Sequence, residues 1–285
     1  MLTALLSRTD VTRHVRGLHL LAELRRALEQ PLGGGETTLG DGPRLQRAWL
    51  PDVPATLLTT TELARGEPRS LWQLRDGQQR LLAVLEASAL KLLGSSVLAA
   101  LAADLLAPQG DTSVALLGHG PHLSGVLKSL RLVRPLVHAF WWEPQEADAI
   151  ERAMRLQQEL SLPVTPVKTP EEAFRGVGVV VAAPGAQLPV AALEGDAVVL
   201  VPDAAQVTWP KDTALPKDVT LWSELPEAAP AWARGARRLS RPETKGPHLF
   251  AASGSARLEL LAAWYAWLGA KDDETITRLD LEGER

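Results

Sequence analysis

The sequence predicts an α/β protein in which a doubly wound parallel sheet is joined to a mixed α+β domain. Three observations predict it. Short apolar runs at 113–117, 136–142, 177–182 and 197–201 alternate with helical stretches, the pattern of a parallel sheet covered on both faces. A Gly-x-Gly turn, Gly118-His119-Gly120, stands between the first of these runs and a helix. The chain before position 86 has another texture, with one amphipathic helix followed by candidate hairpin strands.

Size and composition are consistent with this. The chain has 285 residues, enough for two domains. Hydrophobic residues make up 46% and charged residues 22%, as in an ordinary globular protein. There is no cysteine, which excludes disulfides, thiolate metal sites and cysteine nucleophiles. The net charge is −4, from 30 basic and 34 acidic residues, so no bulk field draws the protein to nucleic acid or an anionic membrane. The N-terminal apolar run is too short for a signal peptide. The longest apolar stretch, 95–108, is broken by Asp104 and falls short of the ~18 residues a membrane span needs. The expectation is a cytoplasmic protein with no membrane or nucleic-acid partner. The nine Trp residues read as a compositional bias.

The elements follow in order. Val11, Val15, Leu18, Leu21, Leu24 and Leu28 recur at helical spacing and predict a helix over 10–30, capped by Asp10 or Thr9. Pro31 and the glycines at 33–35 stop it. Candidate strands cover 44–50, 56–61, 70–74 and 80–85, with Asp76-Gly77 as a hairpin turn. A long Ala/Leu-rich helix runs from Glu86 or Ser88 to Leu106 and ends at Pro108-Gln109-Gly110. Helices at 122–132, 146–160, 170–174 and 189–193, with a short strand at Val164, complete the alternating part. After a loop over 242–248, a helix over 253–268 carries Leu258, Leu261, Ala262, Tyr265 and Leu268 on one face. The charged tail 271–285 is expected to be mobile. The domains are therefore 1–110, completed by 246–285, and 111–245.

The turn after the first apolar run has the chemistry of a dinucleotide site of Rossmann type. Gly118 suits the tight turn and Gly120 the close approach of backbone to a pyrophosphate. Pro121 and His122 open the helix whose free N–H groups face that phosphate. Leu123 stands where a third small residue is usual. Glu143 ends the second run, near the spacing of about 20 residues at which a carboxylate accepts from the adenosine ribose. A carboxylate there favours NAD over NADP. A tight turn in a Rossmann-like domain without cofactor is the plainer alternative. His119 and His122 would touch the pyrophosphate when protonated, though exposed loop histidines explain them as well.

The order of motifs resembles the ornithine cyclodeaminase/mu-crystallin superfamily. Leu5-Leu6-Ser7-Arg8-Thr9-Asp10-Val11 looks like its opening strand and cap. The helix from Glu86 to Ala102 is similar to its Arg-Thr-containing helix, and 113–123 to its cofactor turn. Phe250-Ala251-Ala252-Ser253-Gly254 is similar to its Phe-Lys-Ser-x-Gly segment. The resemblance implies a Rossmann domain, a substrate/dimerisation domain and a homodimer. It also implies NAD(P)-linked chemistry at the C–N bond of a small amino or imino acid, or cyclodeamination. Asp203, after the run 197–201, matches the family's proton-transferring Asp; a turn-capping Asp is the plainer reading.

The sequence departs from the family at its cations. The family's helical Arg-Thr falls on Gly94-Ser95. Its Pro-x-Arg falls on Pro31-Leu32-Gly33, or in a shifted register on Pro43-Arg44. Its strand lysine falls on Thr56 or Leu57, and its Phe-Lys-Ser lysine on Ala251 or Ala252. Arg44 is the remaining candidate for a substrate carboxylate, with Arg47 nearby. These losses keep open a second function: a catalytically inactive relative that binds a dinucleotide or small ligand, or serves as a dimeric module. The six histidines show no metal-ligand spacing, so no metal is expected. Lys211 and Lys245 read as solvated lysines, and the arginines at 234, 237, 238 and 241 as a solvated face. One of Trp141 and Trp142 is expected in the core and the other at the adenine rim, with core packing sufficient for both.

Overall fold

The computed structural model describes residues 2–29, 34–39, 44–64, 67–183, 186, 197–204, 218–243 and 246–280. The chain divides into two compact units, Met1–Gly94 with Ser255–Arg285, and Ser95–Gly254. The division thus falls inside the long helix and after Gly254.

The first unit is built on β1 (Leu2–Leu6), β2 (Gly35–Leu39), β3 (Arg44–Leu50), β4 (Val53–Ala64), β5 (Glu67–Asp76), β6 (Leu81–Glu86) and β15 (Arg278–Asp280). Their order is β15-β1-β6-β5-β4-β3-β2, with β1 and β6 parallel and the other pairs antiparallel. The expected hairpin is present between β5 and β6. The Asp76 carboxylate accepts from the backbone N–H groups of Gln78 and Arg80, each at 2.9 Å, and so shapes the turn.

The expected helix over 10–30 is two helices, α1 (Arg8–His14) and α2 (Gly17–Glu29). Ser7, rather than Thr9 or Asp10, is the N-cap of α1. Its hydroxyl accepts from Asp10 N–H, and the Asp10 carboxylate accepts from Ser7 N–H at 2.9 Å. Val15 turns extended (φ −97°, ψ 105°) just before Gly17, a poor residue for a helix interior. Periodicity missed the break because Val11, Val15, Leu21, Leu24 and Leu28 are buried on both sides of it.

Helix α7 (Ala256–Ala270) lies against β3 and β4. It buries residues nearly all round, among them Leu258, Leu260, Leu261, Ala263 and Ala266, so it is a core helix rather than one with a single apolar face. The tail is not free as far as Asp280. Ile276 is buried, and β15 pairs with β1 in the register Leu2↔Asp280. Arg278 also donates to the carbonyls of Lys271 and Asp273, at 2.8 and 2.9 Å. Its charges gave the tail a mobile look that these backbone pairings override.

The second unit contains β7 (Thr112–Leu117), α4 (Pro121–Leu130), β8 (Leu136–Trp142), α5 (Glu146–Leu160), β9 (Val164–Val167), α6 (Pro170–Phe174), β10 (Val179–Ala182), β11 (Val198–Val201), β12 (Thr220–Ser223), β13 (Arg237–Arg238) and β14 (His248–Ala251). The sheet order is β13-β12-β14-β11-β10-β7-β8-β9, and every pair is parallel. Strands β10, β11 and β14 are buried at every position, as a sheet covered on both faces requires. The predicted fold class is the observed one. Strands β12 to β14 were not expected, because β13 is two residues long and Thr220, Ser223 and His248 interrupt the apolar runs of β12 and β14.

Helix α3 (Ala87–Leu106) is 20 residues long with a mean hydropathy of 1.7 over its most apolar window, long and apolar enough to cross a membrane by length and composition. The reading that began at Ser95 missed this, because the first helical turns are apolar too. More than half of that window is buried in the protein, and Val97 and 99–103 are wholly covered. Its C-terminus is closed by Arg134, 5% exposed, which donates to the carbonyls of Ala103, Ala107 and Pro108 at 2.8, 2.7 and 2.5 Å. Arg134→Ala leaves these carbonyls without their donor. A loss of about 2–5 kcal/mol in urea unfolding is expected, with Arg134→Lys intermediate.

Candidate functional site

In an all-parallel sheet the C-terminal strand ends share one edge. That edge carries the 118–120 turn after β7, Glu143 after β8, Ala183 after β10, Asp203 after β11, Glu224 after β12 and Ser253 after β14. The strand order reverses between β7 and β10, since β8 and β9 lie on one side and β10 and β11 on the other. Ligands of open α/β sheets bind at such a reversal.

The turn after β7 is fixed from both sides. Gly118 N–H donates to the Trp142 carbonyl at 2.9 Å, and the Gly118 carbonyl accepts from the Trp141 indole at 3.2 Å. Gly118 has φ +96°, and a Cβ there would approach the Cβ atoms of Ala186 and Ala183 to 3.1 and 3.2 Å. Gly120, the N-cap of α4, has φ +110°, and among the described residues an added Cβ meets no atom within 4 Å. No side chain caps α4, and Pro121 is its first residue. The result is an open cradle of backbone at a helix N-terminus, the shape and polarity that a pyrophosphate needs. Leu123, at the third glycine position, is buried in the core.

Glu143 lies where the sequence placed it, but its surroundings are new. The side chain is 1% exposed and sits 3.3 Å from Nε of Arg152 on α5. That contact is made by Oε2, which is buried and ion-paired with the guanidinium but forms no hydrogen bond of good geometry among the described residues. A ribose hydroxyl would supply one, so the residues present fit a dinucleotide at both the phosphate and the ribose.

The two histidines part company. His119 is exposed, as a loop histidine should be. His122 is half-buried in the first turn of α4, and its Nδ1 lies 3.4 Å from Ser95 Oγ of α3. Burial pushes its pKa below the ordinary histidine value, against the pull of the nearby Asp203 carboxylate. The loop reading fails for His122 because residues distant in sequence enclose it. Trp141 is wholly buried, and Trp142 packs on the apolar cluster around β7, β10 and β11; core packing accounts for both.

Sequence reading missed Glu224. Its carboxyl group is fully buried and accepts from Ser253 N–H at 2.8 Å and Ser253 hydroxyl at 2.5 Å. Burial raises its pKa, outweighing the hydrogen bonds from Ser253 that lower it. The sign follows from linkage: the unfolded chain ionises this group first, so its contribution to stability falls as pH rises through and beyond the ordinary carboxylate range. Glu224→Gln should therefore gain stability over the parent as pH is raised from about 4 to 8, in denaturant unfolding at several pH values. An unchanged difference would refute the raised pKa.

No protein-family model matches the sequence, and no curated protein matches it significantly. Solved structures do match over nearly the whole chain. The Δ1-pyrroline-2-carboxylate reductase of Thermococcus litoralis, in complex with NADH and L-proline, is similar with a TM-score of 0.81 at 14% identity, covering 97% of this chain and 100% of that one. The iminosuccinate reductase of Paracoccus denitrificans, in complex with NAD+, gives 0.79 at 13% identity, covering 99% and 100%. A lysine cyclodeaminase gives 0.74 at 18% identity, covering 99% and 96%.

The chain has the ornithine cyclodeaminase/mu-crystallin fold.

The positions that the sequence resemblance sets against cations hold other side chains. Leu57 is 0% and Thr56 7% exposed, while Ala251 and Ala252 are 0% and 3% exposed. Four places offered for two lysines are thus buried small or apolar side chains. Gly94 lies in α3, and among the described residues an added Cβ there meets nothing within 4 Å. Arg44 begins β3, but its side chain lies outside the described residues, as do Pro31, Leu32, Gly33, Pro43, Lys211 and Lys245. The expected short helix at 189–193 also lies outside them. Among the described residues no group of three or more His, Asp or Glu could hold a metal ion.

Proposed function

We propose that this chain binds NAD(H) at the turn Gly118-His119-Gly120-Pro121 and acts on the C–N bond of a small amino or imino acid. The observation that carries the proposal is the open backbone cradle at Gly120, at the strand-order reversal of a fold whose neighbours include reductases solved with NADH or NAD+. When bound, the nicotinamide supplies hydride transfer. The chain's part is to hold the pyrophosphate at the N-terminus of α4, to accept from the ribose at Glu143 and to handle a proton at Asp203. Glu143 favours NAD because a second negative charge on the ribose would face its carboxylate. Isothermal titration with NADH and NADPH tests this: tighter NADH binding is expected, and equal or tighter NADPH binding overturns the preference. Homodimerisation, proposed from the same likeness, is read by light scattering.

A second reading has its own support. The buried Leu57 and Ala251 and the side-chain-free Gly94 stand at the matched cation positions. They favour a relative that binds the dinucleotide without turning over an amino acid. Reduced cofactor that binds but is not consumed with any small imino acid would select this reading.

A further inference from the structure

Glu224 is a buried acid that neither the ribose contact nor the proton transfer uses. Two neighbouring strands surround its carboxyl group with donors. From the end of β14, Ser253 N–H and the Ser253 hydroxyl both donate to Oε1, at 2.8 and 2.5 Å. From β12 itself, the Ser223 hydroxyl donates to Oε2 at 3.2 Å. A buried carboxyl group is a poor way to gain stability, since an apolar side chain of similar volume costs less to bury. What this arrangement achieves is to fix one residue of the ligand edge. Ser253 is half-buried and held by backbone and side chain at once. On one side of it, Ala252 N–H donates to the Val201 carbonyl at 3.0 Å and ties the turn to the end of β11. On the other, Gly254 turns the chain with φ +69°.

The cradle after β7 and Glu143 after β8 set the direction of a bound dinucleotide. With its pyrophosphate at β7 and its adenosine half toward β8, the nicotinamide half runs the other way, past β10. At a strand spacing of about 4.8 Å, β11 and β14 stand about 10 and 14 Å from β7 on that side. The carboxamide at the far end of the cofactor thus comes to the strand ends that carry Asp203 and Ser253. A hydroxyl that gives its proton to a carboxyl group keeps its lone pairs, and the donation strengthens them as acceptors. A carboxamide brings an N–H2 group that needs an acceptor. We infer, resting on the functional reading above, that Glu224 is a positioning residue that holds Ser253 as the acceptor for the nicotinamide carboxamide. Glu224 acts through Ser253 and sets the direction in which its lone pairs point.

Calorimetry on the full chain tests this with NAD+, with its acetylpyridine analogue, in which a methyl group replaces the carboxamide N–H2, and with ADP-ribose, which lacks the nicotinamide. The parent should bind NAD+ about tenfold more tightly than the analogue, the effect of one hydrogen bond. Ser253→Ala and Glu224→Ala should each bring NAD+ down to the level of the analogue. Both should leave ADP-ribose within about threefold of the parent, which also shows that they are folded. Ser253→Ala carries the test if removal of the buried carboxyl prevents folding. Glu224→Gln keeps a carbonyl oxygen for Ser253 and should recover most of the preference for NAD+. An equal loss for NAD+ and ADP-ribose would make the cluster merely structural. A Gln variant as weak as the Ala variant would tie the effect to the acid itself. Either result overturns the inference. So does a parent that binds NAD+ and the analogue equally while still binding ADP-ribose, an outcome that leaves the dinucleotide reading intact. A parent that binds none of these probes overturns the dinucleotide reading as well.

Discussion

Gly120→Val should abolish dinucleotide binding while leaving the protein folded. The Gly120 backbone (φ +110°, ψ 165°) lies in a region that essentially only glycine adopts, so a side chain there costs about 1–3 kcal/mol of strain. Among the described residues no atom within 4 Å opposes a Cβ, so the added methyl groups would fill the open cradle itself. They would stand where backbone must approach the pyrophosphate. The expected result is a parent protein stabilised by NADH in thermal unfolding and a variant that is not, because a ligand raises stability only through the native state it binds. An undiminished shift in the variant would move the cofactor site away from this turn. Gly118→Val is expected to act differently. Its Cβ would meet those of Ala186 and Ala183 at 3.1 and 3.2 Å, so lowered stability without any ligand accompanies the loss of binding.

Ornithine should be a poor substrate. A charge-assisted hydrogen bond contributes roughly 1.5–3 kcal/mol, one to two decades of affinity, and cations are absent at Gly94, Leu57 and Thr56. Ammonia release from ornithine at a typical enzymatic rate of ~1–10³ per second would overturn this. Gly94→Arg probes the same point by restoring a cation. The space beside Gly94 admits the first side-chain carbon, and the exchange raises helix propensity by up to about 1 kcal/mol. A Tm higher by about 2–4 °C is expected whatever the substrate. If the matched position has kept its place in the site, affinity for an amino-acid carboxylate should rise about tenfold or more, read by calorimetry.

The legible part of this protein was local. A strand, two glycines and a helix announced the cradle, because glycine is demanded wherever backbone must turn with positive φ or lie close to a ligand. The runs 136–142 and 197–201 placed Glu143 and Asp203 at strand ends, since a buried parallel strand is a short apolar block that stops where polar residues begin. The same reasoning failed where a pattern ran on through a change in the chain. The apolar repeat from Val11 to Leu28 crosses the break before Gly17, since both helices bury the same kind of side chain. The charged tail concealed β15, whose place is set by backbone hydrogen bonds to β1 rather than by its own side chains.

By itself, then, the sequence determined the fold class and the place of the glycine turn, both of which are written in residue type and near-neighbour spacing. Only the tertiary structure decided the environments of the titratable groups. Ser95 and His122 stand 27 residues apart in the chain, and no local pattern says that α3 and α4 bring them to 3.4 Å. Glu224 and Ser253 meet because β12 and β14 pair side by side, and Arg134 finds the end of α3 from beyond α4. The pKa of a side chain and its role follow from burial and from neighbours, and those are set by long-range packing. A histidine that reads as an exposed loop residue in sequence thus becomes a half-buried ring beside Ser95 of α3.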